Sequence, residues 1–102
     1  MLRQNPRPTA LLSVAPENTL AIFAHLMQSG LKLPDDIAVV GAGNVQYCDV
    51  LAVPLTTVDQ GTCRIGALAA ELLIARISSK RPMRPKKILI PPRLVEREST
   101  RR

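Results

Sequence analysis

The chain divides by the period of its apolar positions. Ala10-Leu11-Leu12-Ser13-Val14-Ala15 is a short, nearly continuous apolar run of the kind a buried parallel strand needs. Pro16 and Glu17 then open a helix: proline is tolerated at a first helical position, and the acid complements the positive end. Leu20, Phe23, Ala24 and Met27 follow at helical spacing and predict one apolar face. Gly30 is placed as the left-handed cap, with Leu31 as its apolar contact. After the turn Pro34-Asp35-Asp36, Ile37–Gly41 reads as a second buried strand. Residues 42–53 read as a loop or short helical stretch that Pro54 ends. Thr56-Thr57-Val58 is a third strand. From Gly61 to Ser79, Ile65, Leu68, Ala69, Leu72, Leu73 and Ile77 mark a long amphipathic helix. Residues 80–87 form a proline-broken basic loop. Ile88-Leu89-Ile90 is expected as a fourth strand and Leu94-Val95 as a short fifth. The order β-α-β-β-α-β-β predicts an α/β fold with a mainly parallel sheet flanked by helices.

A chain of 102 residues is one domain at most. Aromatics make up 2% of it, so the core has to be aliphatic, and this argues against a single-strand nucleic-acid module built on stacking rings. Charge is uneven. Residues 1–79 hold five Lys/Arg and six Asp/Glu, net −1; residues 80–102 hold nine and two, net +7. The basic end reads as a solvated loop and a frayed terminus rather than a nucleic-acid contact. Cys48 and Cys63 lack C-x-x-C spacing and read as ordinary thiols of a reducing compartment. The start carries no apolar signal core, and no window reaches membrane-spanning length, so a cytoplasmic protein with no membrane partner is expected.

Little here supports catalysis. Ser13, Thr56 and Thr57 have no base within sequence reach. His25 is the only histidine and has no second ligand at metal spacing; Asp35-Asp36 is a solvated turn. No catalytic residue, metal or cofactor is expected. Gly41-Ala42-Gly43 after a buried strand, with Asp59 further on, resembles a dinucleotide fingerprint. But Gln46 stands where the third glycine belongs. The unit 37–59 is also shorter than the ~30 residues such a crossover takes.

Five blocks in register carry a more specific signal. They are Arg7-Pro8-Thr9-Ala10; Ser29 through Gly41, containing Leu33-Pro34-Asp35-Asp36-Ile37; Pro54-Leu55-Thr56-Thr57-Val58-Asp59-Gln60; Gly66-x-x-Ala69-Ala70-Glu71-Leu72-Leu73; and Leu89-Ile90-Pro91-Pro92-x-Leu94-Val95-x-Arg97-Glu98-Ser99-Thr100. Together they resemble the C-terminal part of LacI/GalR-family transcriptional regulators. The resemblance implies part of a periplasmic-binding-protein-like core of two subdomains, with a small-molecule effector between them. It implies a linker or truncated end at 1–9 and part of the C-terminal subdomain at 10–58. Part of the N-terminal subdomain would follow at 59–90, and a return crossover with a basic tail at 91–102. The family's helix-turn-helix, hinge helix and first half of the sensor core have no counterpart among these residues. Operator DNA is therefore expected as a partner only through a separate N-terminal domain, and the chain alone should be marginally stable.

By the same resemblance, the effector would be met by Ala15, Pro16, Gly43, Asn44, Gln60 and Thr62. Where the family usually has Asn-Asp, this chain has Ala15-Pro16, which also removes a helix cap worth about 1 kcal/mol. Where it usually has Gly-aromatic-Asp-Asp, this chain has Gly41-Ala42-Gly43-Asn44. Sites that read hydroxyls do so with buried polar partners. The effector is thus sugar-like or less polar than a sugar, or the site has decayed. Leu20, Ala24 and Leu51 are expected at a homodimer face; Leu20 and Leu51 as plain core residues is the other reading. Two alternatives remain open: a nucleotide-binding Rossmann enzyme fragment, and a periplasmic-type sugar-binding protein.

Overall fold

A computed structural model describes residues 6–44 and 46–101. Its elements are β1 (Ala10–Ser13), α1 (Pro16–Gln28), β2 (Ala38–Ala42), a 3-10 turn at Gln46–Asp49, β3 (Thr56–Asp59), α2 (Thr62–Ser78), β4 (Arg93–Val95) and a 3-10 turn at Glu98–Thr100. The sheet runs β1-β2-β3-β4. The first three strands are parallel, with Leu12 opposite Val40 and Gly41 opposite Thr57. The last is antiparallel, with Thr57 opposite Val95 and Asp59 opposite Arg93. The α/β class and the mainly parallel sheet are as expected.

The core is aliphatic apart from Phe23, close to what the composition requires. Phe23, Leu26, Leu33, Ile37, Val39, Cys48 and Leu55 are buried together, with Leu11, Ile22, Leu31, Tyr47, Leu51 and Val53 packed at its edge. The inward face of α1 differs from the expected one. Thr19, Phe23 and Leu26 are buried, while Leu20, Ala24 and Met27 are exposed. The spacing is the same, but the face is turned by one residue, about 100°. A threonine can take the inward position because its hydroxyl is satisfied. Thr19 Oγ1 shares a 2.8 Å hydrogen bond with Ser13 Oγ and donates to the Ala15 carbonyl at 3.0 Å. The end of α1 is as read: Gly30 has φ 74°, and its N–H donates to the Met27 carbonyl.

Two expectations fail. Ile88-Leu89-Ile90 is not a strand. It runs beside α2 with Lys86 and Lys87, and a single extended segment against a helix finds no ladder partner. The basic end is not frayed throughout. Arg93–Val95 pairs with β3, and Ser99 is fully buried against β2 and β3. Polar side chains made this segment look solvated; hydrogen bonds to strand carbonyls and hydroxyls hold it in place.

α2 contains no buried residue. Ile65, Leu73, Ile74 and Ile77 are exposed, and an apolar groove of about 420 Å³ lies between α2 and residues 86–90. The radius of gyration is 18.7 Å and the longest dimension 61 Å. A compact chain of this length would have a radius near ~13 Å. The sheet with α1 forms a packed body, and α2 stands away from it.

Candidate functional site

The parallel strands β1, β2 and β3 end side by side, and in open α/β sheets ligands meet the carboxyl ends of strands. Four of the six sequence-derived residues sit at the first two ends. β1 leads through Val14 into Ala15 and Pro16; β2 leads into Gly43 and Asn44. Ala15 caps α1 without any side-chain hydrogen bond, as its apolar side chain dictates. Its carbonyl still accepts from the Asn18 N–H at 3.0 Å and from Thr19 Oγ1.

The Cβ direction of Gly43 faces the ring of Pro16. A Cβ placed on Gly43 would lie 3.1 Å from Pro16 Cγ, and Gly43 has φ 83°, a left-handed backbone that side chains disfavour. Its N–H donates to the Val58 carbonyl at 2.9 Å, which ties the exit of β2 to β3. The ring of Pro16 thus occupies the approach that a residue-43 side chain would need. Tyr47, in the turn after β2, donates from its hydroxyl to the Pro16 carbonyl at 3.2 Å. Burial, and secondarily Cys48, push the Tyr47 hydroxyl above its usual pKa.

Asn44 is the polar residue at this edge. Its Oδ1 accepts from Thr57 Oγ1 at 3.1 Å and from Arg97 Nη2 at 2.8 Å. Gln60 and Thr62 lie at the β3–α2 junction and are exposed. Among the described residues no hydrogen bond joins them to Pro16, Gly43 or Asn44. Asp59 bends the chain there: its Oδ1 accepts from the Gly61 N–H at 2.8 Å, a local turn bond.

The dinucleotide fingerprint has no structural counterpart. Gly41 lies inside β2, where a Cβ would meet Thr19 and Leu55 side chains at 3.1 and 3.2 Å. A four-residue 3-10 turn follows Asn44 and Val45, so there is no helix N-terminus to receive a pyrophosphate. Among the described residues no group of three His, Cys, Asp or Glu could hold a metal ion. No helix among them is long and apolar enough to cross a membrane.

Of the expected dimer-face residues, Leu20 is 45% exposed, Ala24 is exposed, and Leu51 packs half-buried at the core edge. Reading the sequence assigned no role to Arg97 or Ser99, although both fall in the last matching block. The signal that could have found them is an Arg-x-Ser-Thr cluster directly after an apolar strand pair.

The signature of the periplasmic binding protein-like domain matches residues 1–100. A curated relative, the HTH-type transcriptional repressor PurR of Aliivibrio fischeri, is 39% identical over 79 residues, which cover 78% of this chain and 23% of the relative. Among solved structures, a transcriptional regulator CelR–cellobiose complex superposes with TM-score 0.85 at 31% identity, covering 96% of this chain and 30% of that one. A LacI family transcriptional regulator from Enterococcus faecalis with bound ribose gives TM-score 0.87 at 28% identity, covering 97% and 36%. The chain spans roughly a fifth to a third of the length of the curated relatives it matches.

Proposed function

Because this chain belongs to the periplasmic binding protein-like domain family, with the LacI-type regulators as its relatives, we propose that it is the effector-sensing and dimerising portion of a LacI-type transcriptional repressor. The observation that carries this reading is the alignment of Ala15, Pro16, Gly43 and Asn44 along the carboxyl ends of β1 and β2, beside a β3–β4 pair that runs in two directions. A ligand at that edge would bear on the Asp59–Gly61 bend, where the chain leaves the packed body for α2. In the whole regulator such a ligand shifts the balance between operator-bound and released states by its different affinity for the two. Residues 10–58 then belong to one subdomain and 59–90 to the other, with 91–102 returning. Operator DNA is met by another part of the regulator, and the setting is the cytoplasm.

The CelR structure holds cellobiose and the Enterococcus faecalis structure holds ribose. Here the edge is lined by Ala15, Pro16 and Gly43, which supply no side-chain hydrogen bond. The effector is therefore a small molecule less polar than those sugars, with Gln60 and Thr62 as further contacts. Leu20, Ala24 and Leu51 form the homodimer face. No catalytic step is assigned, since among the described residues no nucleophile at this edge has a base beside it.

Calorimetric titration of the chain with ribose, cellobiose, phenyl β-glucoside and NAD tests the reading. Phenyl β-glucoside, which joins an apolar ring to oxygen acceptors, is expected to bind more tightly than either free sugar. NAD is expected to give no heat of binding. Micromolar NAD binding would replace this reading with the nucleotide one.

A further inference from the structure

Arg97 joins four parts of the fold. Its Nε donates to Asp49 Oδ1 in the turn after β2. Its Nη1 donates to the Leu55 carbonyl at 2.8 Å and to Thr57 Oγ1 at 3.0 Å, both at the start of β3. Its Nη2 donates to Asn44 Oδ1 at 2.8 Å, at the exit of β2. The side chain is only 11% exposed, and Asp49 supplies the opposite charge. A guanidinium has its donors in one plane at set angles, so these acceptors are held in fixed relation to one another.

The consequence falls on Asn44. Its Oδ1 faces two donors, from Arg97 and Thr57, and that pair of contacts decides which way the amide lies. The NH2 group keeps both hydrogens, with no partner among the described residues. It belongs to an exposed residue next to Gly43, whose Cβ direction faces the Pro16 ring. An edge otherwise made of Ala15, Pro16 and Gly43 therefore presents one fixed side-chain donor.

We propose that Arg97 is a positioning residue for the effector edge: it holds Asn44 Oδ1 so that Asn44 Nδ2 donates to an ether, carbonyl or ring-nitrogen acceptor of a neutral, weakly polar ligand lying against Ala15 and Pro16. This rests on the effector reading above. The ligand is neutral because Arg97 is already paired with Asp49, and no other cation among the described residues contacts Asn44.

Asn44→Asp separates positioning from structure. A carboxylate at 44 still accepts from Arg97 and Thr57, so the contacts that hold the fold remain, but the donor is gone. The full chain, its Asn44→Asp variant and its Arg97→Lys variant are titrated calorimetrically with phenyl β-glucoside, and their thermal transitions are compared. Asn44→Asp is expected to melt at or above the parent temperature while binding about tenfold more weakly, the loss of one hydrogen bond. Arg97→Lys keeps the charge but loses the fork. It is expected to weaken binding and to shift the Asn44 side-chain amide signals in a 15N spectrum. Unchanged affinity in Asn44→Asp, with the parent binding normally, would overturn this proposal and leave the effector reading standing. A parent chain that binds none of the probes would overturn both.

Discussion

Ser99 completes the ladder between β2 and β3 at Thr56. The Thr56 N–H donates to Ser99 Oγ at 2.8 Å, and Ser99 Oγ donates to the Val39 carbonyl at 2.6 Å. A side-chain hydroxyl from the last residues of the chain thus bridges the Thr56 N–H of β3 and the Val39 carbonyl of β2. Ser99 is fully buried, and its own N–H donates to the Pro54 carbonyl at 2.9 Å. Ser99→Ala leaves a buried donor and a buried acceptor without partners. It is expected to cost about 2 kcal/mol in urea unfolding, in the range for a group stranded in this way. Ser29→Ala, which removes an exposed bond to the His25 carbonyl, is expected to cost less than about 0.5 kcal/mol. Equal effects would contradict the bridge.

Gly43 is constrained twice, by its left-handed backbone and by Pro16 at 3.1 Å from its Cβ position. Gly43→Ala is expected to destabilise the chain by about 1–2 kcal/mol, the penalty of a left-handed L-residue. In the Pro16→Ala background the loss should be smaller, because the ring no longer stands in the way. A double-mutant cycle by thermal unfolding measures the difference.

Leu20 points out of the fold although it sits on a helix with a buried face. If it forms the homodimer face, Leu20→Glu weakens self-association and leaves the unfolding transition within about 0.5 kcal/mol. Sedimentation velocity over a concentration series checks the first part and urea unfolding the second. A large loss of stability would instead make Leu20 a core residue.

The Tyr47 hydroxyl holds its proton more tightly in the folded chain than in the unfolded one. Its contribution is therefore fully present below the unfolded pKa, about 10, and is lost as pH rises above it towards the raised folded value. Unfolding free energy followed across that alkaline window should fall more steeply for the parent than for Tyr47→Phe. Parallel curves would contradict the assignment.

α2 has no buried residue and adds little to the packed body. Ile74→Lys and Ile77→Lys are expected to change stability by less than about 0.5 kcal/mol and to raise solubility. Phe23→Ala, in the core, is expected to cost about 3–5 kcal/mol. Circular dichroism melts separate the two classes.

The three parallel strands and both helices were legible because their apolar runs have clean periods and clear stops at Pro16, Gly30 and Pro54. Three features escaped for physical reasons. Thr19 is inward because hydroxyls of Ser13 and Thr19 satisfy each other, which a polarity pattern counts as an outward position. Ile88–Ile90 has strand composition, but a strand needs a neighbour, and α2 is what lies beside it. Arg97 and Ser99 look solvated by composition, yet the carbonyls of Leu55 and Val39 hold them in place. Ala15, Pro16, Gly43 and Asn44 came from the family resemblance, and they lie just after the ends of β1 and β2. That the Cβ direction of Gly43 faces the Pro16 ring depends on backbone geometry that no residue pattern records.

If small molecules meet this chain at the carboxyl ends of β1, β2 and β3, as proposed, the backbone signals of those residues must respond to binding. Backbone 15N shift mapping of the full chain during titration with phenyl β-glucoside tests it most directly. The largest saturable shifts are expected on Ala15, Gly43, Asn44 and Gln60, with little change along α2. Shifts centred on the groove of Ile65, Leu72 and Leu89 instead, or no saturable shift at any residue, would contradict it.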